Sequence, residues 1–355
     1  MAFKFTFCVL FSSLSSRNIY GELRIKNLSG GLVVMDAISR LNLQQRLLQI
    51  LIKTGRYPSV VGLVGRLCGR YIGWRLILGP RIIIDNPQEF IQSKLLNYGI
   101  YEPEVAAVLL TALEPSDLFF DIGANIGVHT LVAASQKAYT HAFEPVPRLA
   151  RRLRQNIRLN RFDSLVSVFE VALSKSEGQA TLYIAARKDD GSHSLIEGVP
   201  ATSIKAIPVT TTTIDLHVKM SGCGVPSLIK IDVEGAEAWV LDGACDTLAQ
   251  PNRPVIVLET GDRLANRVGE SAKSVLQRLF NLEYRIFHLN ADTMRMSEIR
   301  PDEVLGSVAN YVAIPSESEK VKKILKEYPS VINSIANRCP LLSLCQQRIR
   351  FASRV

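Results

Sequence analysis

Between residues 117 and 290 the chain alternates short apolar runs with longer stretches whose apolar positions recur every three or four residues. The runs predict strands at 118–121, 140–144, 166–170, 228–232 and 254–259. The stretches predict helices at 127–136, 147–159, 235–248 and 271–281. Alternation of this kind builds an α/β fold, a doubly wound and mostly parallel sheet with helices on both faces. Late apolar segments at 284–288 and 310–314 add antiparallel strands and bring the predicted sheet to seven. An extra segment carries strands at 180–185 and 207–213 around a Gly/Ser-rich stretch at 189–194. A short strand at 81–85 and a helix at 103–113 precede the alternation.

The flanks differ in pattern. Residues 1–35 read as a leader, either disordered or upstream of a working start at Met35. Lys4 and the apolar residues 5–14 have the look of a signal segment, but Ser12 and Ser13 interrupt the run and no small-x-small site follows. Residues 36–80 predict a basic amphipathic extension, with helices at 36–55 and 58–72. Residues 81–315 form the core domain, and 316–355 a basic helical tail that Pro329 and Pro340 break. No apolar run reaches the roughly 18 residues of a membrane span.

Charge sharpens this division. The formal net charge is +9. Residues 1–80 hold eleven basic residues against Glu22 and Asp36, and residues 320–355 hold eight against Glu327, so residues 81–319 are acidic at −7. A core that modifies nucleic acid is basic over its binding face, so no nucleic-acid partner is expected. The basic flanks read either as solvated helices or as a peripheral contact with anionic lipid. The cysteines (Cys8, Cys68, Cys223, Cys245, Cys339, Cys345) show no Cys-x-x-Cys pair and no His at zinc spacing. They read as reduced thiols of a cytoplasmic protein.

Candidate chemistry centres on Asp121-Ile122-Gly123-Ala124-Asn125-Ile126-Gly127, which follows the apolar run Leu118-Phe119-Phe120. The pattern reads as strand, tight turn, helix. Gly123 permits backbone conformations that a Cβ blocks, and Gly127 is expected to let a ligand lie against the main chain. Glu144 ends the next strand, where an acid can take the two ribose hydroxyls of a nucleoside. The dinucleotide fingerprint fails, because its second and third glycines fall on Asn125 and Val128. S-adenosylmethionine has no phosphate and tolerates a side chain in this turn, so it is the expected cofactor.

Seven segments in order resemble the FkbM-type methyltransferases: Asp121–Gly127, Ala142–Pro145, Asn156–Asn160, Val171–Ser174, Gly191–Leu195, Thr213–Asp215 and Leu228–Glu237. The resemblance covers roughly residues 81–315. It implies a class I, Rossmann-like methyltransferase fold, S-adenosylmethionine as donor, and O-methylation of a small-molecule or glycan acceptor with a free hydroxyl. On this reading Asp121, Gly123, Asn125, Gly127, Glu144 and Asp232 bind the donor, and Val171 and Ala172 lie along its adenine. His193, in its Gly/Ser loop, is the first candidate base, and Asp232 the second. His129, Glu234 and Glu259 are expected on the acceptor side. Glu237 is read as a cap in the first turn of its helix. Asp232, Glu234 and Glu259 can hold Mg²⁺ if they converge, which sequence does not show, and no metal is expected. The alternative is a non-catalytic or membrane-surface binding protein on the same fold. The intact turn with both Glu144 and Asp232 favours the enzyme.

Overall fold

The computed structural model describes residues 23–26, 32–35, 74–186, 190–198 and 203–339. The chain divides into two units, residues 1–59 and 60–355. In the first, β1 (Leu23–Lys26) pairs antiparallel with β2 (Leu32–Met35), inside the expected leader. The expected helices at 36–55 and 58–72, and the tail beyond Cys339 with Pro340, lie outside the described residues.

In the second unit β3 (Trp74–Arg75) pairs with β4 (Arg81–Ile82). Then come α1 (Phe90–Tyr98), α2 (Pro103–Ala112), β5 (Leu118–Ile122), α3 (Val128–Ser135), β6 (Tyr139–Phe143), α4 (Pro147–Asn160) and β7 (Val166–Phe169). A separate three-stranded sheet, in order β8-β10-β9, is made by β8 (Ala172–Leu173), β9 (Gly178–Ala185) and β10 (Ser203–Thr212). The chain returns through α5 (Ile214–Ser221), β11 (Leu228–Ile231), α6 (Glu237–Asp242), α7 (Cys245–Leu248), β12 (Val255–Thr260), α8 (Asp262–Ala265) and α9 (Ala272–Asn281). It ends with β13 (Tyr284–Asn290), β14 (Arg295–Ile299), β15 (Ala309–Pro315) and α10 (Lys320–Arg338).

The main sheet has eight strands in the order β14-β13-β15-β12-β11-β5-β6-β7. Strands β12 through β7 are parallel, while β15, β13 and β14 pair antiparallel. Period-2 alternation divides the core between the two faces. Phe119, Leu228, Val257, Val312 and Phe287 join α2 and α10 on one face. Phe120, Ile229, Ile256, Ala313 and Ile286 join α6 and α9 on the other. Chain order reverses between β5 and β11, and the carboxyl ends of strands at such a switch point are where an open α/β sheet binds ligands.

Several predicted elements need correction. The sheet has eight strands, not seven, because β14 is an exposed edge strand with Arg295, Ser297 and Glu298 and no apolar signal. Residues 81–85 pair only at Arg81–Ile82 and stand outside the main sheet. The helix expected at 235–248 breaks at Gly243, where a Cβ would lie 2.2 Å from the Ser174 carbonyl oxygen. Pro329 does not break the tail but sits inside the continuous helix α10. Helix α1 went unread. Its cap is Glu89, a buried acid whose oxygens accept from the Ile91 and Gln92 N–H groups.

The Asn156–Asn160 segment shows how a polar pair can fix an architecture. Asn156 is fully buried on α4. Its Oδ1 accepts from Ile83 N at 2.8 Å, and its Nδ2 donates to the Ile126 carbonyl at 2.8 Å. Asn160 clips Arg81 from both sides, accepting from its N at 2.7 Å and donating to its carbonyl at 2.6 Å. Replacing Asn156 by Ala strands a donor and an acceptor. Asn156→Ala is expected to lower stability by about 1–3 kcal/mol, read as a lower urea midpoint with unchanged slope.

Candidate active site

The turn after β5 has a rigid frame. Gly123 N and Ala124 N both donate to the Phe143 carbonyl at 3.0 Å. Gly123 has φ +82°, and a Cβ there would lie 1.9 Å from the Asp232 carbonyl oxygen. The glycine therefore lets the β11 loop close against the turn. Gly127 has φ +94°, and its Cβ would meet the Leu153 side chain at 2.3 Å. Gly127 thus makes room for the Leu153 side chain in the core.

Glu144 is buried at the end of β6. Its Oε2 accepts from Asn125 N and its Oε1 from Val146 N, both at 2.8 Å. Burial pushes its pKa up to about 7 against the pull of those two donors. Beside it lies a crevice of about 50 Å³, walled by Ile122, Phe143, Val171, Ala172 and Leu182 with Gly123 and Asp232 at its rim. Residues 190–196 close over it. Asn125 Nδ2 donates to the Asp190 carbonyl at 2.8 Å, Arg148 pairs with the Asp190 carboxylate at 2.6 Å, and Ser194 Oγ donates to the Glu234 carbonyl at 2.8 Å.

His193 lines this crevice with one ring nitrogen already engaged. Its Nδ1 accepts from Ala185 N at 3.0 Å, which leaves Nε2 to carry the proton of the neutral ring. Burial, aided by Arg148, holds its pKa down to about 4. A nitrogen already engaged by a backbone N–H takes no proton from an acceptor.

The carboxylates gather around a residue that sequence reading passed over. Lys230 faces the same side of the sheet as Leu228 and stands in register with Asp121 on β5. It is buried, and its ammonium lies 2.8 Å from Asp232 Oδ2. Burial alone would lower its pKa, but Asp232, Glu102 and Asp121 more than reverse that and keep it charged. Asp121 accepts from Thr130 Oγ1 at 2.5 Å, so it orders the start of α3 as well. His129, also buried, has its Nε2 3.5 Å from Glu102 Oε2, and burial holds the ring well below its ordinary pKa. Glu234 sits in the left-handed region at φ +54°. Glu237 lies in the first turn of its helix, but its carboxylate accepts from Gly235 N of the preceding turn at 2.8 Å and caps no helical N–H. A charged residue inside the otherwise apolar run Leu228-Ile229-Lys230-Ile231 was the available signal for Lys230. Glu102 carried only its position before Pro103.

Among the described residues, two sets bring three ligand atoms within 4.8 Å of one another. Asp232, Glu234 and Glu259 offer oxygens, which suit a hard cation such as Mg²⁺. His141, His217 and Cys223 offer softer donors, although His141 Nδ1 and His217 Nε2 already share a hydrogen bond of 2.9 Å. Cys223 thus does have histidine neighbours, His217 six residues before it and His141 brought from β6 by the fold. Beyond Glu259 opens a cavity of about 610 Å³, lined by Phe90, Tyr98, Tyr101, Glu102, Glu104 and Asn310 among others. Asp232 rims the crevice and Glu259 the cavity, so the two spaces meet across this pair.

Comparison with known proteins places this geometry. Residues 121–286 match the methyltransferase FkbM domain. The chain is 30% identical over 161 residues to the hexuronic acid methyltransferase AglP of Haloferax volcanii, covering 45% of this chain and 63% of that protein. It is 29% identical over 182 residues to the 2-O-methyltransferase NoeI of Sinorhizobium fredii, covering 45% of this chain and 73% of that protein. A 98-residue stretch is 41% identical to the AMB antimetabolite synthetase AmbE of Pseudomonas aeruginosa, covering 27% of this chain and 4% of that protein. The match to AglP therefore spans less than two thirds of that relative's length. The matched segment includes the whole crevice wall, Lys230 and the Asp232–Glu259 pair. Phe90, Tyr98, Tyr101, Glu102 and Asn310 of the larger cavity fall outside the match.

The buried acids of this site make stability depend on pH. Burial raises Glu144 and Glu237 to about 7, Glu102 and Glu234 to about 8, and Glu259 to about 9, from an ordinary 4.5. The folded chain then holds protons that the unfolded chain releases, so stability is full below about 4.5 and is lost as pH rises through 7 to 9. His193 and His217, lowered to about 4 from 6.5, act in the opposite sense and cost stability as pH falls through that range. The ligand-free protein should therefore show its highest melting temperature near the crossover between these windows and a lower one on either side, measured by scanning fluorimetry across pH.

Proposed function

We propose that this chain transfers a methyl group from S-adenosylmethionine to a hydroxyl of a sugar or sugar-bearing small molecule. The observation that carries this reading is the meeting of the narrow crevice and the large cavity across Asp232 and Glu259. A donor lying in the crevice has its reacting end where the acceptor cavity begins. The crevice fits the donor's chemistry. Its apolar wall at Phe143, Val171 and Ala172 suits an adenine, and each Glu144 oxygen keeps a lone pair for a ribose hydroxyl beyond the backbone donor it already serves. The sugar-directed names of AglP and of the 2-O-methyltransferase NoeI support the acceptor class.

The donor, when bound, supplies an electrophilic methyl on a sulfonium with a good leaving group. The protein's task is alignment and removal of one proton. With the donor supplying the methyl in exchange for the hydroxyl proton, Asp232 would be the residue that takes that proton. Lys230 holds the Asp232 carboxylate in place through its 2.8 Å contact. His193 positions residues 185 and 190–194 and stays out of proton transfer. For the donor to enter, the 190–196 segment lifts, releasing Asn125 and Arg148 from Asp190.

Two substitutions separate these roles. Asp232→Asn should lower turnover by about 10²–10⁴-fold, whereas His193→Ala should leave turnover within about tenfold of wild type and retain any rise of rate with pH. Equal losses in both variants, or a lost pH limb in His193→Ala alone, would return the base to His193. Glu144→Ala should weaken S-adenosylmethionine binding by about 1–3 kcal/mol in calorimetry. It should also destabilise the fold, because Asn125 N and Val146 N lose their acceptor. Unchanged donor affinity would remove Glu144 from the site.

A further inference from the structure

Two imidazoles and a thiol meet on the face of the sheet against which α5 packs. His141 lies on β6, in register with Phe120 on β5 and Ser167 on β7. His217 comes from α5, and Cys223 follows directly after Gly222, where that helix ends. His141 Nδ1 and His217 Nε2 are 2.9 Å apart. The sulfur of Cys223 completes a set of three ligand atoms, all within 4.8 Å of one another. None of the three residues lines the crevice or the large cavity.

Aromatic side chains hold the two rings in place. His141 stacks on Phe120, with ring centres 5.3 Å apart and 12° between the planes. His217 meets Phe143 and Phe169 edge to face, at 4.8 and 4.7 Å. The two imidazole planes stand at 88° to each other. Polar donors inside an apolar shell are the setting in which a cation is bound strongly, because the shell limits solvent and lowers the local dielectric. Burial also holds both imidazoles below their ordinary pKa, His217 at about 4, so near pH 7 each is in the neutral form that ligates metal.

We propose that His141, His217 and Cys223 bind a zinc ion that clasps α5 to β6. Two imidazoles and a thiolate are donors that zinc takes. Tetrahedral zinc spaces two nitrogens about 3.3 Å apart, and nitrogen from sulfur about 3.6 Å. The histidine pair therefore has to open by only about 0.4 Å from its 2.9 Å contact. The thiol, 3.4 Å from the Gly224 carbonyl to which it donates, turns inward and gives up its proton as the cation enters. His141 and Cys223 are partly exposed, so water can take the fourth position. With neither ligand space at the site, the ion's role is structural. It ties β6, α5 and the turn after α5 together behind Phe143, a residue of the crevice wall. His141 and His217 stand 76 residues apart, which is why no zinc spacing shows in the sequence.

The test is metal binding by the full chain, reduced with a phosphine and stripped with a chelator. Wild type should bind Zn²⁺ with micromolar or tighter affinity and melt at a higher temperature when loaded. Loaded with Co²⁺, it should show the near-ultraviolet charge-transfer band of a thiolate–cobalt bond and the intense visible bands of four-coordinate cobalt. Cys223→Ser should abolish the charge-transfer band and weaken zinc binding by at least about tenfold. His217→Gln should weaken zinc binding to a similar degree, while Cys245→Ser, at an exposed cysteine, should change neither readout. If His217→Gln does not fold, the conservative Cys223→Ser decides alone. A charge-transfer band or a zinc affinity that survives Cys223→Ser overturns the inference. Cobalt held without that band overturns it too, and points to the oxygens of Asp232, Glu234 and Glu259. A wild-type chain that binds no zinc at micromolar concentration leaves the histidines a hydrogen-bonded pair and nothing more. None of these readouts involves S-adenosylmethionine, so the methyltransferase reading stands or falls separately.

Discussion

A single buried ammonium organises the centre of this protein. Lys230 comes from a strand that is otherwise apolar, and the pleat turns it to the face where Asp121 stands opposite. Two residues on, just past the end of that strand, stands Asp232, and Glu102 lies at the start of α2. Charges removed from water need partners of opposite sign, and breaking such a set by removing one member typically costs about 3–5 kcal/mol. Lys230 is thus a constraint on β5, β11 and the 101–104 segment together. The switch point of the sheet, which topology makes a crevice, becomes a charged centre because this lysine is there to hold it.

Much of this was legible in the chain. The parallel strands and the helices α3, α4 and α9 fall within a residue or two of where apolar periodicity puts them, since each is buried on a face that periodicity reports. Gly123 and Glu144 were legible too, because a positive φ and a strand-end acid leave local marks. What escaped was of two kinds. Strand β14 and helix α1 lack apolar contrast, one being an exposed edge and the other capped by a buried acid, Glu89. The convergent groups Glu102, Glu104, Lys230 and Asn310 are distant in sequence, and only strand register and the packing of α2 bring them together. His193 shows the converse. Its loop composition advertises a mobile base, while a single backbone N–H at Nδ1 makes it a structural ring.

The division of labour between the two spaces follows the boundary of the recognisable domain. The crevice is built wholly from residues 121–286. The cavity borrows α1, the start of α2 and the strands β13 and β15, which flank that segment on either side. Helix α2 packs against α10 and reaches the cavity through its first residues, so the cavity wall is fastened to the tail helix as well as to the sheet. Substitutions along these flanks can reshape the cavity without touching the groups that line the crevice.

The hydrogen bond from Asn125 to the Asp190 carbonyl is one of two that this residue makes across the site. Its backbone N–H goes to Glu144 Oε2, and its side-chain amide ties the 190–196 segment to the turn after β5. Arg148 adds a second tie, to the Asp190 carboxylate. One asparagine thereby makes the turn, the strand-end acid and the segment over the crevice a single mechanical unit, so a change at position 125 is felt at all three at once.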